Sequence, residues 1–122
     1  MLLVGTPLWR RRGFDATSAL KGVTPSIAAH VHQTGWLPQS ELAAVLAASG
    51  AMVFIPWFEG FGIPLLEAFS AGTPAIHSNR TSLPEVAQGA GLEVDPGDPD
   101  SVAEAMLRME REPALRAQLI DK

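Results

Sequence analysis

Five short apolar runs recur along the chain, each followed after a few residues by a stretch of helical periodicity, and this alternation limits the fold more than any other feature. The runs are "LLVG" (Leu2 to Gly5), "VHQTG" (Val31 to Gly35), "AMVFIP" (Ala51 to Pro56), "PAIH" (Pro74 to His77) and "GLEV" (Gly91 to Val94). None is joined to the next by a hairpin signal, so consecutive strands connect through crossovers and lie parallel, with helices on both faces of the sheet. The expected architecture is a doubly wound α/β domain.

The helical stretches carry their own punctuation. Behind Ser40, read as an N-cap, Leu42, Val45 and Leu46 fall on one face. "IPLLEAFSAG" has Pro64 at its first position and Gly72 just past its end. A short helix is expected over Leu83 to Gln88. Asp98 reads as the cap of a longer helix that opens with Pro99 and sets Val102, Ala105, Met106 and Met109 on one face. A last helix follows Pro113 and carries Leu115 and Leu119.

At 122 residues, 47% of them apolar, the chain has the size and core-forming capacity of one domain, taken as residues 1–122. It contains no uncharged apolar run of roughly eighteen residues and does not open on a basic-then-apolar layout, so the reading is cytoplasmic. With no cysteine, disulfides and thiolate metal sites are excluded and the redox compartment stays undecided. A net charge of -4 argues against nucleic acid as a partner. Arg10, Arg11 and Arg12 form the one basic cluster, either a site for a phosphate or an anionic lipid headgroup or simply a solvated loop.

Chemistry concentrates in "FEGFGIPLLEAF", Phe58 to Phe69, where two glutamates flank a glycine-rich bend that leads into an apolar helix. In parallel α/β sheets ligands gather beyond the carboxyl ends of the strands, and this bend follows the strand Ala51 to Pro56. Gly60 and Gly62 open backbone conformations closed to other residues and let a ligand approach the main chain. The helix behind them attracts an anion, so phosphate or diphosphate is the expected ligand. A carboxylate beside a diphosphate is repelled by it, and its natural partner is a hydroxyl, to which it offers only acceptors. Glu59 and Glu67 therefore suit hydroxyl-bearing groups on either side of the phosphates. The alternative is that Glu67 only complements the helix dipole while Glu59 is solvated; on the residues alone the two readings stand level.

The dinucleotide fingerprint competes for the same glycines, but it needs a glycine or alanine where Leu65 stands. A Walker loop is also lacking, since no Gly-Lys-Ser or Gly-Lys-Thr occurs. What the stretch does resemble is the C-terminal half of family 4 (group 1) glycosyltransferases, retaining enzymes of the two-Rossmann GT-B fold. The likeness rests on the two glutamates around the Gly-Phe-Gly-x-Pro bend and on "SLPEV" and "VDPGDPDSVAEA" downstream; it extends upstream through "HQTGWLPQSELAAVLAASGAMVFIPW" and back to "LLVG".

The resemblance implies a Rossmann-like domain that binds a nucleotide sugar, UDP- or GDP-linked. Glu59 matches the glutamate on the transferred sugar, and Gly60, Phe61 and Gly62 match the bend whose amides meet that sugar and the diphosphate, with Ile63 and Pro64 continuing the wall. Glu67 matches the glutamate on the ribose, and Gly35, Trp36 and Leu37 lie where the family packs its nucleobase. The implied reaction moves a hexose to a saccharide or lipid-linked acceptor without a metal cofactor. The departing diphosphate would be stabilised electrostatically, and no residue of this chain is assigned as catalytic. The alternatives are a stand-alone, non-catalytic nucleotide-binding module and a sugar-nucleotide epimerase of the same architecture, which would place histidine and acidic groups for proton transfer around the bend.

Departures from the family pattern matter too. The basic pair that grips the diphosphate follows a strand before the one represented by "LLVG", so Arg10, Arg11 and Arg12 do not match it. The N-terminal half with the acceptor site has no counterpart in the chain, and any peripheral membrane attachment would come through that half. His30, His32 and His77 do not inherit that half's histidine and read as loop or surface residues, since spacing of two on a strand end makes a poor metal set. Trp9 and Trp57 read as core or rim packing, with a carbohydrate platform as the alternative for the tryptophans. Asn79, Arg80, Thr81 and Ser82 border the same crevice and either reach the ligand or cap the helix near Leu83, where Glu85 offsets the dipole. Because a Rossmann half places its first strand centrally, "LLVG" and "AMVFIP" are each expected to carry an unpaired edge, as in a fragment of a longer enzyme. Hydrogen exchange tests this: backbone amides on those edges should exchange fast, and a cooperatively folding monomer with both edges protected argues against it.

Overall fold

The computed structural model describes residues 1–5 and 22–122, and in these the five expected strands all form. In chain order the elements are β1 (Leu2–Val4), α1 (Pro25–Ala28), β2 (His32–Gly35), α2 (Gln39–Ala47), β3 (Met52–Phe54), α3 (Ile63–Ser70), β4 (Ala75–Ser78), α4 (Leu83–Ala87), β5 (Gly91–Val94), α5 (Pro99–Arg111) and α6 (Pro113–Ile120). Every strand pair is parallel. The arginine cluster Arg10 to Arg12 and Trp9 lie outside the described residues.

Two compact units divide the chain, Met1–Glu41 and Leu42–Lys122. In the first, β1 pairs with β2 in a register that shifts between Leu3 and Val4, and the Gly5 amide donates to the Gly35 carbonyl at 2.8 Å. In the second, β3, β4 and β5 form one sheet in that order. Among the described residues β1 bonds only to β2 and β3 only to β4, so the two edges expected to be open are unpaired.

The core of the second unit follows from strand alternation. All four residues of β4 are buried. Ile76 faces one way, packing with Val94 and with Ala105, Met109 and Leu119 of α5 and α6. Ala75 faces the other way, against Leu65 of α3 and Leu83 and Ala87 of α4. The neighbouring strand alternates in step: Ala51 and Ile55 join the first cluster, Met52 and Phe54 the second. Burial of each such Leu, Ile or Met stabilises the fold by roughly 1.5–3 kcal/mol, which is why a three-stranded sheet holds helices on both faces. No helix among the described residues is long and apolar enough to cross a membrane.

Helix ends follow the sequence with a few exceptions. Asp98 caps α5 as expected, its Oδ1 accepting from the amides of Asp100 (3.1 Å) and Ser101 (3.2 Å). Gly72, at φ +70°, ends α3 in a complete Schellman turn: Thr73 N–H donates to the Ala68 carbonyl at 2.9 Å and Gly72 N–H to that of Phe69 at 3.0 Å. Ser40 is not a cap, because α2 already begins at Gln39. Met106 is exposed; the buried line of α5 runs through Ala105 and Met109, and Met106 has turned off it. Arg116 Nη1 donates to the carbonyls of Met109 and Glu110, closing the carboxyl end of α5 onto α6.

His77 departs most from expectation. It is fully buried on the central strand, not on a surface or loop, with Nδ1 3.1 Å from the Ser78 carbonyl and Nε2 without a protein partner among the described residues. Its ring has room because Gly91, the register partner of Ala75 on β5, has no side chain: a Cβ there would come within 2.6 Å of His77 Cδ2 and 2.9 Å of the Ala75 carbonyl. Gly91→Ala should therefore destabilise the protein by about 1–3 kcal/mol, read as a lower urea midpoint at unchanged slope. Asp98→Ala should cost about 1 kcal/mol in the same measurement, through loss of the α5 cap.

Candidate functional site

The carboxyl ends of β3, β4 and β5 lie side by side, since Phe54, His77 and Glu93 are in register. Three connections therefore leave the sheet along one edge: the bend 55–62, the polar run 79–82, and the turn 95–98. Direct contacts knit them together.

Glu59 sits at the centre. Its N–H donates to Thr81 Oγ1 at 3.2 Å, and its carbonyl accepts from Ser82 Oγ at 3.0 Å. Its carboxylate Oε1 accepts from the amides of Phe61 (3.3 Å) and Gly62 (3.2 Å). Those are two of the bend amides that the family likeness assigned to sugar and diphosphate, and here an anion of the chain itself meets them. Glu59 is half-buried, and no hydrogen bond to Oε2 is found among the described residues.

The two bend glycines differ. Gly62 is buried at φ +96°, and a Cβ on it would lie 2.8 Å from Leu83 Cδ2, so both conformation and packing against α4 demand glycine. Gly60 does not take up a positive φ and would accept a Cβ in open space, so the expectation that its backbone is closed to other residues does not hold. Gly62 is also the N-cap of α3, its carbonyl accepting from the amides of Leu65 and Leu66. Pro64 has no N–H and the Leu65 and Leu66 amides go to the Gly62 carbonyl, which leaves Ile63 as the first-turn residue whose amide has no intrahelical acceptor. Phe58, Phe61 and Ile63 are exposed around this opening, and Glu67 lies half-buried one turn into α3.

Arg80 and Asp95 join the other two connections, with Arg80 Nη2 3.1 Å and 2.9 Å from the two carboxylate oxygens. The Gly97 amide first, and Arg80 second, hold the Asp95 carboxyl below its ordinary range. Trp57, largely exposed, lies over Gly97, where a Cβ would come within 3.2 Å of its ring. That exposure removes the core packing that the sequence reading had offered for it. Thr81 and Ser82 do not cap α4, which has no side-chain cap bond at Ser82; their hydroxyls go to Glu59 instead. The polar run flagged this region, but no local signal in the sequence identifies a partner 22 residues away.

Gly35, Trp36 and Leu37 belong to the first unit, at the carboxyl end of β2. Gly35 takes φ +69°, and its carbonyl accepts from Gly5 N–H and from Thr34 Oγ1. Trp36 is exposed and Leu37 half-buried. Of the other histidines, His30 and His32 are exposed as expected. Among the described residues no three His, Asp or Glu side chains converge as a metal set would require. A pocket of about 270 Å³ opens at the amino ends of β4 and β5, lined by Phe69, Thr73 and Lys122 among others, and holds no residue of the bend. The carboxyl edge is the better candidate, since ligands of parallel sheets bind there.

Comparison with known proteins bears on the family and the fold. Residues 25–122 match the family model described as glycosyl transferases group 1. The chain is 42% identical over 78 residues to O-antigen chain mannosyltransferase B of Escherichia coli, a match covering 64% of this chain and 20% of that protein. It is 35% identical over 82 residues to the MMP alpha-(1->4)-mannosyltransferase of Mycolicibacterium hassiacum, covering 65% and 20% respectively. The solved sucrose-phosphate synthase of Thermosynechococcus elongatus superposes with a TM-score of 0.77 at 28% identity, over 98% of this chain and 31% of that one. The chain thus spans about a fifth of the two mannosyltransferases it matches. With the doubly wound parallel fold, the glutamate-flanked bend at its carboxyl edge and a family match over most of its length, the chain belongs to the group 1 glycosyltransferases.

Proposed function

We propose that this chain is the donor-binding part of a retaining glycosyltransferase that moves a hexose from a nucleoside diphosphate sugar to a saccharide or lipid-linked acceptor. The observation that carries the reading is the fixed placement of Glu59 at the carboxyl edge of the sheet, its backbone held by two hydroxyls and its Oε1 by two amides. A carboxylate placed so accepts from sugar hydroxyls and orients the sugar without contributing a nucleophile. Gly60, Phe61, Gly62, Ile63 and Pro64 form the wall beside the sugar and diphosphate, with the Ile63 amide as donor to a phosphate oxygen. Glu67 takes the ribose hydroxyls. The turn Gly35-Trp36-Leu37 takes the base, with the Gly35 carbonyl already engaged by Gly5 N–H and Thr34 Oγ1.

The relatives named as mannosyltransferases favour mannose among the hexoses. In this reading the departing diphosphate is stabilised by amides, the α3 dipole and basic side chains, with no metal in the step. In the whole enzyme the N-terminal half supplies the acceptor site, and the basic pair that follows the strand before "LLVG" grips the diphosphate. The epimerase alternative called for histidine at the bend; within Leu42–Lys122 the one histidine, His77, is sealed inside β4.

Calorimetric titration with UDP, GDP and ADP tests the donor site and selects the base. Glu67→Ala should weaken nucleotide binding by about tenfold or more, the loss of a charge-assisted hydrogen bond to the ribose. Unchanged affinity would break the ribose assignment. Glu59→Ala should leave free nucleotide binding intact and remove the additional affinity conferred by the sugar.

A further inference from the structure

Glu59 lies in the irregular connection between β3 and α3, yet both of its main-chain polar atoms are satisfied by side-chain hydroxyls from one dipeptide. Thr81 Oγ1 accepts its N–H and Ser82 Oγ donates to its carbonyl, across 22 and 23 positions of sequence. The pair does for this single residue what ladder bonds do for a residue in a sheet. To reach it, Thr81 adopts φ +52°, a left-handed conformation that is unusual for a β-branched residue and that persists only where the surroundings enforce it.

The surroundings here do enforce it. The run is anchored before Thr81 by the Asn79 amide on the Val94 carbonyl (2.9 Å), by the Arg80 amide on Ser78 Oγ (3.1 Å) and by the Arg80–Asp95 ion pair. It is anchored after Ser82 by Leu83, fully buried against α3. A strained turn tied at both ends to the packed core thus delivers two hydroxyls to the one backbone unit that carries the Glu59 carboxylate.

We infer that Thr81 and Ser82 are positioning residues for the donor sugar, acting through Glu59: they fix the peptide from which its carboxylate projects. This rests on the sugar-contact role proposed above for Glu59. Preorganisation of this kind affects ligand groups that meet Glu59 and spares those that do not. If the hydroxyls only stitched two loops together, their removal would lower stability and touch sugar and nucleotide binding alike.

The experiment compares the dissociation constants of GDP-mannose and GDP, and of UDP-glucose and UDP, by calorimetry on the chain and its variants. Amide hydrogen exchange at Glu59 is followed by NMR on the same samples. Thr81→Gly keeps the left-handed backbone and removes the hydroxyl, Ser82→Ala removes the other contact with the smallest change of shape, and Thr81→Ser restores the first. Thr81→Gly and Ser82→Ala should each speed exchange of the Glu59 amide and lower the sugar-dependent part of the affinity by about fivefold, with free nucleotide binding within about twofold of wild type. Thr81→Ser should restore both readouts.

Two results overturn the inference, and they are distinguishable. If Glu59→Ala leaves the ratio of sugar-nucleotide to nucleotide affinity unchanged, or if neither donor binds the wild-type chain, the sugar role of Glu59 fails and the inference with it. If Glu59→Ala lowers that ratio while Thr81→Gly and Ser82→Ala do not, Glu59 keeps its role and the positioning by Thr81 and Ser82 is wrong.

Discussion

The double burial of β4 is the constraint on which the rest of the second unit depends. A strand whose four residues are all buried must have parallel neighbours on both sides and helices on both faces, because its backbone groups have no water to turn to. Ile76 and Ala75 tie one face to α5 and α6 and the other to α3 and α4. His77, next after Ile76 in the same strand, is accommodated by Gly91 on β5, so the choice of the smallest residue there follows from the size of its neighbour.

The same register sets up the site. Because Phe54, His77 and Glu93 are aligned, the connections after β3, β4 and β5 leave the sheet together, and polar side chains from each can meet the others. Their contacts divide the work: Arg80 and Asp95 close one gap with an ion pair, Trp57 lies on Gly97, and Thr81 with Ser82 holds Glu59. The ion pair is exposed enough that its worth is in geometry more than in energy.

The bend has an electrostatic logic of its own. Amides that point out of a helix start attract an anion, and Glu59 provides one from within the chain, where repulsion between carboxylate and phosphate would otherwise oppose placing them side by side. Oε1, accepting from the Phe61 and Gly62 amides, fixes the carboxylate against the start of α3. Gly62 makes this possible, as a side chain there would collide with Leu83 and its φ would be strained.

All five strands, the Asp98 cap, the Gly72 turn and the glutamate-flanked bend were legible in the residues, because each rests on periodicity or on hydrogen bonds that span only a few positions. Ser40 and Met106 were misplaced by a fraction of a turn, the usual reach of local pattern. His77 looked like a surface residue since its type, not its strand position, dominated the reading. The partners of Glu59 were out of reach altogether: a hydroxyl 22 residues downstream comes within hydrogen-bonding distance only once β3 and β4 are in register and Thr81 has been forced into a left-handed turn. Local chemistry thus determined which segments become strands and helices and where an anion would be met. Long-range register alone decided how the carboxylate at that point is held, since it sets the distances between residues far apart in the chain.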